Sequence, residues 1–166
     1  VTAVFEGSRV FLVEIQALTV PGKASLTRVY SERVDPARVS RVAAVLEKHA
    51  GLRFSDQDLY VNVAGGMRLN EPGADLALAA ALYSARTGLA LPDGVAMAGE
   101  LSLAGEVRPI RAMRERARAA RAMGFSRVLG PTDSKGQAPD ASEAWEGSTS
   151  IVAIIHALFG SAKSSP

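Results

Sequence analysis

Two stretches of this chain hold residues whose types and spacing could do chemistry. The first is a run of arginines. Between Glu106 and Arg121 stand Arg108, Arg111, Arg114, Arg116, Arg118 and Arg121 against two glutamates, a local charge of +4 in a chain whose formal net charge is +2. The remainder therefore sums to −2, so the positive charge is concentrated in one segment. Aligned guanidinium groups suit phosphates, because each neutralised phosphate releases condensed counterions. The second stretch is Glu71-Pro72-Gly73-Ala74-Asp75-Leu76-Ala77, a small-residue turn that opens an alanine-rich helix.

Other chemistries fail on their own requirements. A phosphate-binding P-loop needs a glycine five residues before its Gly-Lys pair and Ser or Thr after it; Gly22-Lys23 is followed by Ala24 and has neither. Gly65-Gly66 runs into Met67-Arg68-Leu69-Asn70, which breaks the dinucleotide fingerprint. The nucleophile elbow of Ser-His-Asp hydrolases is absent. With no cysteine, disulfides and Cys-based zinc sites are excluded within the chain. His49 and His156 have no ligand partner nearby in sequence and are read as structural or surface residues. The remaining candidate is a serine activated by a lysine. Ser102 and Lys135 are the residues that could be drafted for it, although neither stands at the positions such a dyad would use.

These residues need elements to position them. Val10–Val20 reads as one buried strand closed by Pro21-Gly22, and 27–34 as a second. Asp35-Pro36 is an N-cap followed by proline at the first helical position, and Val39, Val42, Ala43, Leu46 and Ala50 carry the helix to Gly51. Residues 59–63 form a strand into Gly65-Gly66, and 75–87 form the alanine-rich helix stopped by Gly88. Short strands follow at 95–100 and 106–108, then a helix over 111–123, a strand over 127–129, and a loop beginning at Gly130-Pro131. Thr149 or Ser150 caps a last apolar helix to Phe159. Alternating strands and helices predict one α/β (α+β) domain over 1–160, with 161–166 as a frayed tail. No apolar run approaches the roughly 20 residues that span a bilayer. No signal-peptide pattern is present, and with the missing cysteines this predicts a cytoplasmic protein. A start at Val1 suggests a piece of a longer chain.

On a helical wheel, Arg114, Arg118 and Arg121 fall within about 80° of Arg111, opposite Met113, Ala117 and Ala120. Arg116 sits toward the buried side, where it would pair with a carboxylate or snorkel. The basic stripe is open to three uses: a solvated face with local ion pairs, a phosphate-contacting surface, or a subunit contact, where arginine is enriched. Few aromatics (5%) argue against base stacking as the main mode of any nucleic-acid binding.

The motifs also carry a family resemblance. Glu71 to Ala77 resembles the turn and helix start that bear the catalytic serine of Lon proteases. Gly99-Glu100-Leu101-Ser102-Leu103-Ala104-Gly105-Glu106-Val107-Arg108-Pro109-Ile110 resembles the strand pair ahead of their catalytic lysine. In that register the serine position falls on Gly73 and the lysine position on Arg114. Neither residue can do the chemistry, since Gly73 has no nucleophile and arginine is not a neutral base near pH 7. Val1-Thr2-Ala3-Val4-Phe5-Glu6-Gly7-Ser8-Arg9, Leu12-Val13-Glu14-Ile15-Gln16-Ala17-Leu18, Val45-Leu46-Glu47-Lys48 and Asp58-Leu59-Tyr60-Val61-Asn62-Val63-Ala64-Gly65-Gly66 resemble the C-terminal Lon-like domain of the RadA (Sms) family of bacterial DNA-repair ATPases.

That resemblance implies a Lon-like domain of the ribosomal protein S5 domain 2-like type, with mixed sheets and packed helices and no peptidase activity. It also implies a homo-hexameric ring acting on single- or double-stranded DNA. Zinc and ATP would be held by segments ahead of this domain, with no cofactor or metal in the domain itself and no membrane partner. The candidate DNA-contacting residues are Arg108, Arg111, Arg114, Arg118 and Arg121, with Lys23 and Arg28 as weaker ones. Lys23-Ala24-Ser25 departs from the arginine-rich loop expected of the family. The rivals are a passive oligomerisation scaffold, an active Ser-Lys peptidase, and the Lon-like domain of magnesium-chelatase-type ATPases, which shares Gly99-Glu100-Leu101 and Gly105 to Pro109.

Overall fold

The computed structural model describes residues 1–23, 26–133, 139 and 144–160. Ten strands and four α-helices are assigned among them. A five-stranded sheet has the order β10-β9-β6-β1-β2 (Glu146–Ser148, Arg127–Pro131, Val95–Met97, Thr2–Glu6, Arg9–Val13). Only the β1/β2 hairpin is antiparallel in it; the other pairs are parallel. A three-stranded sheet has the order β3-β5-β4 (Ile15–Pro21, Gln57–Val63, Val29–Ser31), and β7 (Glu100–Leu101) pairs with β8 (Val107–Arg108).

The helix α2, Asp75–Thr87, explains the alanine content of its segment. Every residue from Asp75 to Tyr83 is buried, so the helix is covered all round. It shares one apolar cluster with Val4, Val95, Met97 and Leu129 of the five-stranded sheet and with Ile15, Leu59 and Val61 of the smaller one. Small side chains let both layers approach it. The helices α1 (Pro36–Ala50) and α4 (Ile151–Phe159) add Val39, Val42, Leu46, Ile151 and Ile154 to the same cluster. On the opposite face of the larger sheet, Ala96, Ala98 and Val128 pack against Met113, Ala117 and Ala120 of α3, Met113–Ala122. Strand β6 thus sends alternate side chains to two cores, as the two-residue period requires. The contact with α3 is close. A Cβ on Gly130 of β9 would stand 2.4 Å from Met113 Cε.

Three of the four helices follow the sequence reading, and the one predicted over 111–123 begins only at Met113. Asp35 Oδ1 accepts from Ala37 N at 2.9 Å, and α1 ends at left-handed Gly51. Ser150, rather than Thr149, caps α4 by accepting from Ala153 N. The strands needed correction. Val10–Val20 is not one buried strand: β2 and β3 break at Glu14 and enter different sheets, each with alternating exposure. Strand β1, at the very start, and β10 were not anticipated. The strand predicted over 27–34 shortens to β4, and the one over 95–100 divides into β6 and β7, in separate sheets. Gly130 and Pro131 belong to β9 instead of opening a loop. The predicted tail 161–166 lies outside the described residues.

Candidate functional site

The turn before α2 is held from three sides. Gly99 N donates to Gly73 O at 2.8 Å, and Leu76 N returns a bond to Gly99 O at 3.1 Å. From α1, Arg38 donates to Glu71 O and Asn70 O at 2.6 and 3.0 Å. Asp75, fully buried, accepts from Arg41 at 2.8 Å and from Leu101 N at 3.3 Å. Burial pushes the Asp75 carboxyl above the ordinary aspartate range against the opposing pull of Arg41, and its Oδ1 has no hydrogen-bond partner.

Gly73 itself is buried, and what stands beside it is a guanidinium. A Cβ there would meet Ile110 Cδ1 at 3.2 Å and Arg116 Nη1 at 3.4 Å. Arg116 enters from the first turns of α3 and is almost wholly enclosed. Its two Nη atoms bind the Glu71 carboxylate at 2.5 and 2.9 Å, Nη1 also donates to Ala3 O at 2.6 Å, and Nε donates to Arg111 O at 3.0 Å. Its Cζ lies 4.8 Å from the centroid of the Phe5 ring, a cation–π distance. One side chain thereby joins β1, the turn and the start of α3. The expectation that Arg116 meets a carboxylate is met by Glu71. Arg114, on which the family's lysine position falls, is exposed, since it stands two residues before Arg116 and about 200° away from it around α3.

The other predicted residues divide by location. Arg118 is exposed one turn beyond Arg114 on α3. Arg111 is exposed too, but it lies ahead of the helix, since Ala112 adopts a left-handed backbone (φ 57°) at the N-cap; the helical wheel does not apply to it. Arg108 on β8 stands 3.6 Å from Glu106, with both side chains more than half exposed. Arg121 is turned back on its own loop, donating to Ala144 O and Ser126 O. Lys23 and Arg28 are exposed near one end of the three-stranded sheet, a different sheet from the one that carries α3.

Ser102 donates to Glu106 Oε2 at 3.3 Å and accepts from Glu106 N at 3.2 Å, so its hydroxyl closes the β7–β8 turn. Lys135 lies outside the described residues. Among the described residues no group of three metal-ligating side chains converges, and no helix is long and apolar enough to cross a membrane. Glu71, Asp75, Arg38 and Arg41 were not anticipated as parts of this site. Glu71 and Asp75 gave a signal, as the two charged residues of the turn segment, whereas Arg38 and Arg41 gave none.

A buried turn opening a central helix, faced by a cation from the helix after a short strand pair, is the frame of a Ser-Lys peptidase domain. Residues 5–157 match the model of the Lon protease (S16) C-terminal proteolytic domain, and the chain belongs to that family. It is 62% identical over 128 residues to the DNA repair protein RadA of Treponema pallidum, covering 77% of this chain and 28% of that protein. The RadA of Brucella abortus is 44% identical over 134 residues, with 81% and 29% covered, and that of Mycobacterium tuberculosis 39% over 154 residues, with 93% and 32% covered. The chain thus spans less than a third of the length of these relatives. A Lon-like domain of the RadA kind accounts for both findings.

Proposed function

We propose that this chain is the non-proteolytic Lon-like domain of a RadA-type DNA repair and recombination protein, and that it assembles hexameric rings and binds DNA without sequence preference. The observation that carries the DNA-binding half is the exposed arginine group at α3. Arg114 and Arg118 stand one turn apart, Arg111 precedes them and Arg108 lies on the strand before. Among the described residues no carboxylate pairs with Arg111 or Arg118. Such groups contact phosphates and carry no information about base sequence.

The non-proteolytic half is supported by the site. Gly73 has no nucleophile, and the group beside it is a guanidinium, which is no substitute for the neutral amine such a dyad uses as its base. The names of the relatives support the repair context, and the family resemblance supports the ring. Binding is tested by electrophoretic shift of a mixed-sequence duplex at low salt. R111A/R118A should weaken the complex and flatten its salt dependence. Absence of any shift by the unmodified chain would exclude DNA binding and leave a passive assembly scaffold, which sedimentation velocity would still register as a ring.

A further inference from the structure

The outer face of the three-stranded sheet carries a row of exposed side chains that the repair reading does not use. Leu18, Tyr60 and Tyr30 stand side by side across β3, β5 and β4, since Leu18 pairs with Tyr60 and Tyr60 with Tyr30 in the strand register. They are 57%, 40% and 45% exposed. The two tyrosine rings stack at 4.7 Å between centroids and 13° between planes. They line a groove of about 780 Å³. Two of the three tyrosines in the chain are thus gathered on one open surface, although the overall aromatic content is low.

The polar groups around the row favour one kind of occupant. Next to it, Asn62 Nδ2 donates to Gln16 Oε1 at 3.2 Å across β5 and β3. Gln16 Nε2 in turn donates to Glu14 Oε1 at 2.8 Å, which leaves Asn62 Oδ1 and the remaining amide hydrogens for the edges of bases. At the opposite end Arg28, exposed two residues before Tyr30, supplies a cation, with Asp58 of β5 near it. Glu32, exposed after β4, can accept from base amino groups. An aromatic stack with amides and a carboxylate at one end and a cation at the other suits flat, edge-polar rings better than a phosphate track. Tyrosine faces accept any base, because every base has a π-face.

We propose that this sheet face is a stacking site for the unpaired bases of single-stranded DNA, separate from the α3 arginines. It rests on the reading of the domain as DNA-binding. Paired bases cannot reach it, since their faces are already stacked in the duplex.

Fluorescence anisotropy of labelled oligo(dT) of about 20 nucleotides, compared with a duplex of equal length, tests it on the 166-residue chain. Y30A/Y60A should lose roughly tenfold in affinity for the single strand and keep its affinity for the duplex. Y30F/Y60F, which keeps both rings, should bind the single strand as the unmodified chain does. Photocrosslinking with a 5-iododeoxyuridine oligonucleotide should mark Tyr30 or Tyr60. Three results would overturn the proposal: unchanged single-strand binding by Y30A/Y60A, equal losses on both forms of DNA, or no single-strand binding by the unmodified chain. A changed sedimentation coefficient with unchanged affinity would assign the face instead to contacts between copies of the chain. R111A/R118A acts on the duplex whatever the outcome here, so failure of the sheet site and failure of DNA binding are told apart.

Discussion

At the scale of single residues, the centre of the family fold has become an ion pair. Arg116 is enclosed and its charge is met by Glu71, so removing either partner leaves a buried charge or an empty place. E71A should destabilise the fold by about 3 kcal/mol in urea denaturation. E71L/R116M should cost much less than the two single changes together, because two apolar groups need no counter-charge; additive losses would show that the pair does not act as a unit. Restoring the reactive residue types should not restore cleavage. In G73S/R116K the lysine would face Glu71, and a neighbouring carboxylate holds an amine protonated when a dyad needs it neutral. Casein hydrolysis by that variant would contradict this. Asp75 gives a pH signature with a definite sign. Burial raises its pKa, so the folded state holds its proton where the unfolded chain has already released it. The contribution of Asp75 to stability therefore falls as pH rises from the ordinary aspartate range through its raised value. D75N should gain on the unmodified protein across that window in melts at successive pH values; a difference moving the other way would remove the buried-carboxyl account.

At the scale of elements, the sequence was legible wherever a local signal was complete. Asp35-Pro36 and Gly51 bracket α1 because capping and left-handed termination are decided within one turn of chain. The strands were less legible because their limits are set by partners far away. Nothing local in Val10–Val20 says that Val13 will finish in one sheet and Ile15 begin another. Gly130 and Pro131 read as a loop opening, yet the strand continues because Met113 of α3 needs the space that a missing Cβ leaves. The helical wheel placed Arg116 correctly toward the interior and misplaced Arg111, because it assumed a helix through Ala112. That residue takes a left-handed backbone, at a cost of about 1 kcal/mol that glycine largely avoids. A112G should accordingly raise the unfolding free energy by roughly 0.5 kcal/mol or more, the reverse of the usual effect of glycine near a helix.

At the scale of the whole molecule, the arginine-rich segment promises more than one chain can deliver. Of its six arginines, Arg116 is spent inside, Arg121 on loop carbonyls, and Arg108 stands beside Glu106. Arg111 and Arg118 are exposed with no carboxylate partner among the described residues, Arg114 is exposed between them, and their position on a layer apart from the three-stranded sheet keeps Lys23 and Arg28 from joining them. If each neutralises one phosphate, log K for a single domain should fall against log salt with a slope near −3. Contacts so few bind weakly near physiological salt, whereas a ring that holds several copies along one duplex makes later contacts intramolecular and multiplies the affinity. The salt slope should therefore steepen with protein concentration as copies assemble, in step with sedimentation. A slope that stays near −3 after assembly would mean that only one subunit touches the duplex at a time. A steep slope at concentrations where only single chains sediment would mean that cations beyond α3 contact DNA, and that the basic surface has been drawn too small.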